Sequence, residues 1–195
     1  QAMIALNKRG EDIYESADWL FTQKAIPSGI IWILQIDSDE ATTCTISSSK
    51  GDDTVTIGLN KKVELSSPRK CFTIYTGGYW LEISDSCKQE TFTIKCDKSF
   101  ITNLLYKKQD STTIFVSEET HMASADGTTT EEISSLCFGK NRVCDYEGTL
   151  WAALALALTG YNEDVRSFTP YLMANAEGNS KYLPEAFLDY LLTRY

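Results

Sequence analysis

The sequence predicts an α+β fold in which helical hairpins at both ends of the chain bracket an inserted antiparallel β-sandwich or barrel. Three observations predict it. Apolar residues recur at helical spacing before residue 30 and after residue 128, they alternate with period two in between, and Gly, Asp, Asn, Ser and Lys turns separate the alternating segments. The implied boundaries are a discontinuous helical scaffold over 1–29 and 128–195, an inserted β domain over 30–117, and a connecting loop over 118–127. Separate domains in series would show the same three zones.

The first element is GEDIYESADWLFTQK at 10–24, which puts Ile13, Ala17, Leu20 and Phe21 on one helical face. Glu11, Asp12 and Glu15 lie in its first turns, where the helix dipole favours acid, and Pro27 with Ser28-Gly29 ends it. From Ile30 to about Ser117, IIWILQID, TCTISS, DTVTIGL, CFTIY, YWLEIS, TFTIK and TIFVS are short and rich in β-branched and aromatic residues. Strands of this length at roughly ten-residue spacing suggest a small sandwich or barrel. FITNLLYKK at 100–108 reads as a strand or as one helical turn, and EETHMASADGTTT at 118–130 has loop composition.

Four further segments read as helical: TEEISSLCF, DYEGTLWAALALALTG, NEDVRSFTPYLMANAEGN and LPEAFLDYLLTRY. Asp145 precedes the second and Gly160 follows its apolar run. Asn162 precedes Glu163 and Asp164 in the third, and Pro184 opens the fourth. Leu150 to Leu158 contains no polar or charged side chain. That run is far short of the roughly 20 apolar residues a bilayer crossing needs, so the protein itself must cover the helix on every side.

SADWLFTQKAIPSGIIW resembles the repeat of the α/α-toroid proteins, the terpenoid cyclases, protein prenyltransferase β subunits and macroglobulin thioester domains. Ala17, Trp19-Leu20, Gln23, Gly29 and Trp32 carry the likeness. Thr149-Leu150-Trp151-Ala152-Ala153-Leu154-Ala155-Leu156 with Gly160 resembles the buried helix that follows in that repeat, and Phe168, Tyr171-Leu172 and Gly178 resemble another outer helix. The resemblance implies toroid-like helical hairpins interrupted by the β zone. It also implies further repeats beyond this chain, as the Gln1 start and the Tyr195 end inside a helical pattern suggest a processed chain or a fragment. An unrelated bundle of amphipathic helices would share the apolar spacing.

Acidic residues exceed basic ones, for a net charge of −9. With no basic block, a nucleic-acid or anionic-membrane surface is excluded. Six cysteines, Cys44, Cys71, Cys87, Cys96, Cys137 and Cys144, show no CxxC pair. Their order suggests Cys44 with Cys71, Cys87 with Cys96 and Cys137 with Cys144, among the fifteen pairings that six cysteines permit. Disulfides point to an extracellular or cell-surface setting; reduced, buried cysteines are the alternative. No Asn-x-Ser/Thr sequon occurs.

Asp37-Ser38-Asp39-Glu40-Ala41-Thr42 resembles the acid motif of class II terpenoid cyclases, with Glu40 at the fourth position and a strand before it instead of a helix. Asp37, Asp39 and Glu40 also make a candidate cation site, against an ordinary solvated turn. The chain's single histidine, His121, lies in a loop-like stretch without a cysteine at zinc-ligand spacing, so neither a prenyltransferase-type zinc nor a Ser-His or Cys-His centre is expected. Thr22-Gln23-Lys24-Ala25-Ile26 resembles the glutamine motif of bacterial thioester adhesins, but every cysteine follows Gln23, where that family has its cysteine before. Tyr75, Tyr79 and Trp80 around Gly77-Gly78 make a candidate contact patch, or else a packed hairpin.

The expectation is therefore a secreted or cell-surface, non-enzymatic module for adhesion, recognition or assembly, with no catalytic residue, resident metal or cofactor. Its partners would be a protein or glycan at a surface, or a second copy paired through strand edges. The alternative is a terpenoid-cyclase-like enzyme or its inactive relative.

Overall fold

The computed structural model describes residues 2–66, 69–141, 143–161 and 165–193. It divides into two compact units, one of residues 31–133 and one of residues 1–30 with 134–195.

The first unit is built of strands. β1 (Lys24–Ala25) precedes it, and β2 (Ile30–Asp37), β3 (Thr42–Ser48), β4 (Gly51–Ile57), β5 (Val63–Leu65), β6 (Phe72–Ile74), β7 (Leu81–Ile83), β8 (Thr91–Cys96), β9 (Phe100–Lys108), β10 (Phe115–Ala123) and β11 (Thr128–Glu132) form two antiparallel sheets. One has the order β10-β9-β2-β7-β6 and the other β11-β8-β3-β4-β5. Among the described residues the edge strands β10, β6, β11 and β5 each pair with one neighbour, so no barrel closes. Alternation decides which side chains face inward: Cys44 and Ile46 of β3, Val55 and Ile57 of β4, and Phe92, Ile94 and Cys96 of β8 are all buried. The two sheets meet through them. Phe72 of one lies with its ring 4.9 Å from Phe92 of the other, and burial of each such side chain is worth about 1.5–3 kcal/mol. Trp32 and Phe115 flank the Tyr106 ring at 5.0 and 5.5 Å.

Two disulfides lie in this unit, and both differ from the pairing that chain order suggests. Cys44 bonds Cys96, and Cys71 bonds Cys87. The reason is topological: β8 inserts beside β3, which makes Cys44 and Cys96 direct cross-strand partners with Cα atoms 4.0 Å apart. Asp53, buried on β4, accepts the Lys70 and Cys71 amides at 2.7 and 2.9 Å and so anchors the segment leading into β6.

The second unit contains β1, β12 (Cys137–Lys140) and β13 (Val143–Cys144), which form a three-stranded sheet, and the helices α1 (Ala2–Lys8), α2 (Tyr14–Thr22), α3 (Tyr146–Leu158), α4 (Thr169–Asn175) and α5 (Pro184–Leu192). Asp145 caps α3 by accepting the Gly148 amide. Tyr146, Thr149, Leu150, Ala152, Ala153, Ala155 and Leu156 of α3 are buried, and the helix packs against β12, α1, α4 and α5. Thr149 ties it to the sheet, since its hydroxyl lies 2.9 Å from the Phe138 amide and 3.1 Å from the Phe138 carbonyl. Cys137 bonds Cys144 across the β12–β13 hairpin, as chain order suggests, so the bridge staples two strands. That hairpin requires glycine at 139, where a Cβ would stand 1.7 Å from the Val143 carbonyl oxygen.

The toroid expectation is overturned. A toroid is made of long paired helices, whereas the described helices have 7, 9, 13, 7 and 9 residues and the protein is rich in antiparallel sheet. Where the repeat would turn into its next helix, α2 stops at Thr22 and the chain enters β1 and β2, because Ile30-Ile31-Trp32-Ile33 favours extended backbone. The expected 118–127 loop is the second half of β10 and the turn into β11. TEEISSLCF, read as helical, supplies the end of β11 and the start of β12. FITNLLYKK is strand β9 and α1 was not anticipated. The expected cap at Asn162 lies outside the described residues.

Two outcomes check this description. Non-reducing peptide mapping should recover Cys44 linked to Cys96 and Cys71 linked to Cys87. Replacing Cys44 and Cys96 by Ala, whose sequence separation is 52, should cost about 4 kcal/mol in denaturant unfolding, against about 2.5 kcal/mol for the Cys137–Cys144 pair with its separation of 7. Burial, with Glu185 and Tyr171 adding to it, pushes the Tyr146 phenol up to about 12. The unfolded phenol ionises near its ordinary value of about 10, so stability should hold below pH 10 and fall as pH rises from there through 12. Alkaline denaturation of wild type against Tyr146→Phe reads this directly.

Candidate functional site

Asp37 ends β2, and Ser38 is buried with its hydroxyl donating to the Ser99 carbonyl at 2.7 Å. Asp37 forms an ion pair with Lys61 at 3.1 Å, and the same ammonium donates to the Ser38 carbonyl. Glu40 lies 3.9 Å from Lys98. A lysine thus occupies the place beside Asp37 that a metal cation would take, and among the described residues no three His, Cys, Asp or Glu side chains gather as a metal site. Cyclase chemistry needs the acid inside an apolar cavity. Asp37 and Asp39 are exposed instead, at the rim of an open cleft of about 400 Å³ that Ile101 and Met122 also line.

Gln23 bonds Thr22 at 3.0 Å, and among the described residues no cysteine is free. There is therefore no thiol for a thioester or for a zinc ligand.

His121 is not in a loop. It sits on edge strand β10, where its Nδ1 is hydrogen-bonded to Glu131 of β11 at 2.9 Å. Glu131 is only 3% exposed, and its Oε1 also accepts from Thr102 at 2.6 Å. Thr102 in turn lies 2.9 Å from the Thr129 hydroxyl. A buried carboxylate is tolerable when charge-assisted bonds replace its water. The cluster therefore joins the edge strands of the two sheets. It resembles the acid-and-imidazole half of a catalytic triad, but the Nε2 faces Glu119 at 3.8 Å and has no hydroxyl or thiol partner among the described residues. The arrangement holds two strands together. Its sequence signal was the alternation in Thr128-Thr129-Thr130-Glu131-Glu132, which puts Thr129 and Glu131 on the inward side.

The aromatic patch is where two turns meet. The β6–β7 hairpin closes with Tyr75 N–H donating to the Trp80 carbonyl and Gly78 N–H to the Tyr75 carbonyl, each at 2.9 Å. Gly77 and Gly78 both have left-handed φ, at 95° and 75°. Tyr75 and Trp80 are half-buried with rings 6.0 Å apart, the cross-strand packing of an ordinary hairpin. Tyr79 differs: it is 47% exposed, and the Lys62 ammonium lies 3.8 Å from its ring centroid. Lys62 also donates to the Gly77 carbonyl, and the Val63 amide donates to the Gly78 carbonyl at 2.9 Å. The β4–β5 turn, with Leu59 77% exposed, is thereby fastened to the hairpin. Sequence reasoning found the three aromatics but missed Leu59 and Lys62, which come from a different turn.

Comparison with protein-family models, with curated proteins and with solved structures returned no match. Among the described residues no helix is long and apolar enough to cross a membrane, and the three disulfides point to an oxidising environment.

Replacing Glu131 by Ala should destabilise the protein by about 1–2 kcal/mol, because it removes the hydrogen bonds to Thr102 and His121 while Thr102 keeps Thr129 and the half-exposed His121 ring can turn to water. Lys62→Met should cost under about 1 kcal/mol and accelerate amide exchange at Gly78. Urea titration and hydrogen exchange measure the two.

Proposed function

We propose that the protein is a secreted or cell-surface, non-enzymatic recognition module, and that the tip formed by Leu59, Lys62 and Tyr79 contacts a protein or a glycan. One observation carries this reading. The tip leaves a large aromatic and a leucine in water while two groups tether it from the neighbouring turn: the Val63 amide, which bonds Gly78, and the Lys62 ammonium, which bonds Gly77 and lies over the Tyr79 ring. Holding exposed apolar groups rigid lowers the entropy lost on binding, and tyrosine is enriched where interfaces concentrate their energy. Disulfides inside the same unit suit an extracellular setting.

Assembly of copies through strand edges is the less favoured form. β5 and β6 have three residues each, and β10 carries a bulge between Val116 and Thr120 with Glu118 and Glu119 at it. Short, bulged and acidic edges resist pairing.

A screen of labelled protein against a glycan array and an array of extracellular domains, run beside Tyr79→Ala and Leu59→Asp, tests the proposal. Either variant should keep the wild-type unfolding temperature within a few degrees and weaken binding at least about tenfold, a change of 1.4 kcal/mol. A screen without a reproducible partner, or a partner bound equally by all three proteins, would overturn it.

A further inference from the structure

Independently of that tip, the helical unit contains a cleft of about 570 Å³, lined by α1, α2 and α3. This is within the size range of small-molecule sites, about 300–1,000 Å³. Its α3 side is Trp151, Ala152 and Ala155; Ala2 and Met3 come from α1, and Glu15, Ser16, Trp19 and Leu20 from α2. On the α3 side, the small side chains of Ala152 and Ala155 leave room beside the large Trp151 ring. Trp151 is positioned from the side by Phe187 of α5, edge-on at 5.2 Å. Trp19 is not similarly held: it is 64% exposed, and among the described residues no ring or cation stacks against it.

Charge narrows the ligand. Among the described residues Glu15 is the only ionisable side chain lining the cleft, and its carboxyl has neither an ion-pair nor a hydrogen-bond partner among them. Glu15 and Trp19 are four residues apart on α2, so they stand one above the other on the same face. A carboxylate one turn from an exposed indole face offers two attractions to a positive charge, one ionic and one to the ring's quadrupole. The same pair disfavours fatty acids and other anions.

We propose that this cleft is a binding site for a small organic cation with an apolar body. The ammonium lies against Glu15 and Trp19, and the hydrocarbon against Met3, Trp151, Ala152 and Ala155.

Octyltrimethylammonium, 1-octanol and octanoate share one chain and differ in head charge, so they isolate the claim. Each is titrated below its aggregation limit, with tryptophan fluorescence and calorimetry as readouts and circular dichroism to exclude unfolding. The ammonium should bind saturably and at least about tenfold tighter than the alcohol, a 1.4 kcal/mol preference, and octanoate should bind most weakly. Glu15→Gln should bring the ammonium and the alcohol to within about threefold, and Trp19→Ala should weaken the ammonium at least about fivefold. Both positions are exposed, so neither variant should change the fold. Equal binding of the three probes, no saturation by the ammonium, or a Glu15→Gln variant that keeps the preference would each overturn the proposal. So would light scattering that shows a dimer which Trp19→Ala dissociates, since a second copy would then occupy the cleft.

Discussion

The bond between Cys44 and Cys96 fixes the register on which the rest of the strand unit depends. It joins the central strands of one sheet, β3 and β8. A slip of β8 by one residue would turn Phe92 and Ile94 outward and bring threonine and lysine into the core. With that pair locked, β4 and β5 extend the sheet on one side and β11 on the other. The inner face so defined is the one that receives Phe72 from the opposite sheet. Asp53 and the Cys71–Cys87 bond then fasten the segment leading to Phe72, which is otherwise only a three-residue strand.

What could be read in the sequence was the part whose signal is local. Period-two alternation with β-branched residues located most strands of the 30–117 zone, because a half-buried strand declares its inward face within a few residues. The errors share a different cause. TEEISSLCF looks helical alone, and only the remote partners Thr102 and His121 make it possible to bury Glu131 in a strand. Cysteine order misled because β8 is adjacent to β3 in space and 52 residues away along the chain. The Trp-Leu and Ala-Leu spacing that resembled a toroid is the spacing of any amphipathic or buried helix, and it carries no information about helix number or length.

The candidate tip follows the same division. Tyr75, Tyr79 and Trp80 stand out because aromatics flank a Gly-Gly turn. Whether such residues pack or project is decided by what lies beneath them. Here Tyr75 and Trp80 face each other, while Lys62 holds Tyr79 outward. The Asp37-Ser38-Asp39-Glu40 stretch shows the reverse case: a composition suggestive of chemistry becomes a turn once Lys61 and Lys98 arrive from the β4–β5 and β8–β9 turns.

The chain has one histidine, and it stands between the edge strand of one sheet and that of the other, against a carboxylate that water hardly reaches. A single imidazole gives a single, unambiguous set of ring resonances. Their chemical shifts, followed while the protein is warmed or titrated with denaturant, report on the parting of β10 from β11 separately from the backbone signals of the central strands. The fold thus carries its own one-site spectroscopic gauge of whether the seam opens before the sheets unfold, without any label being added.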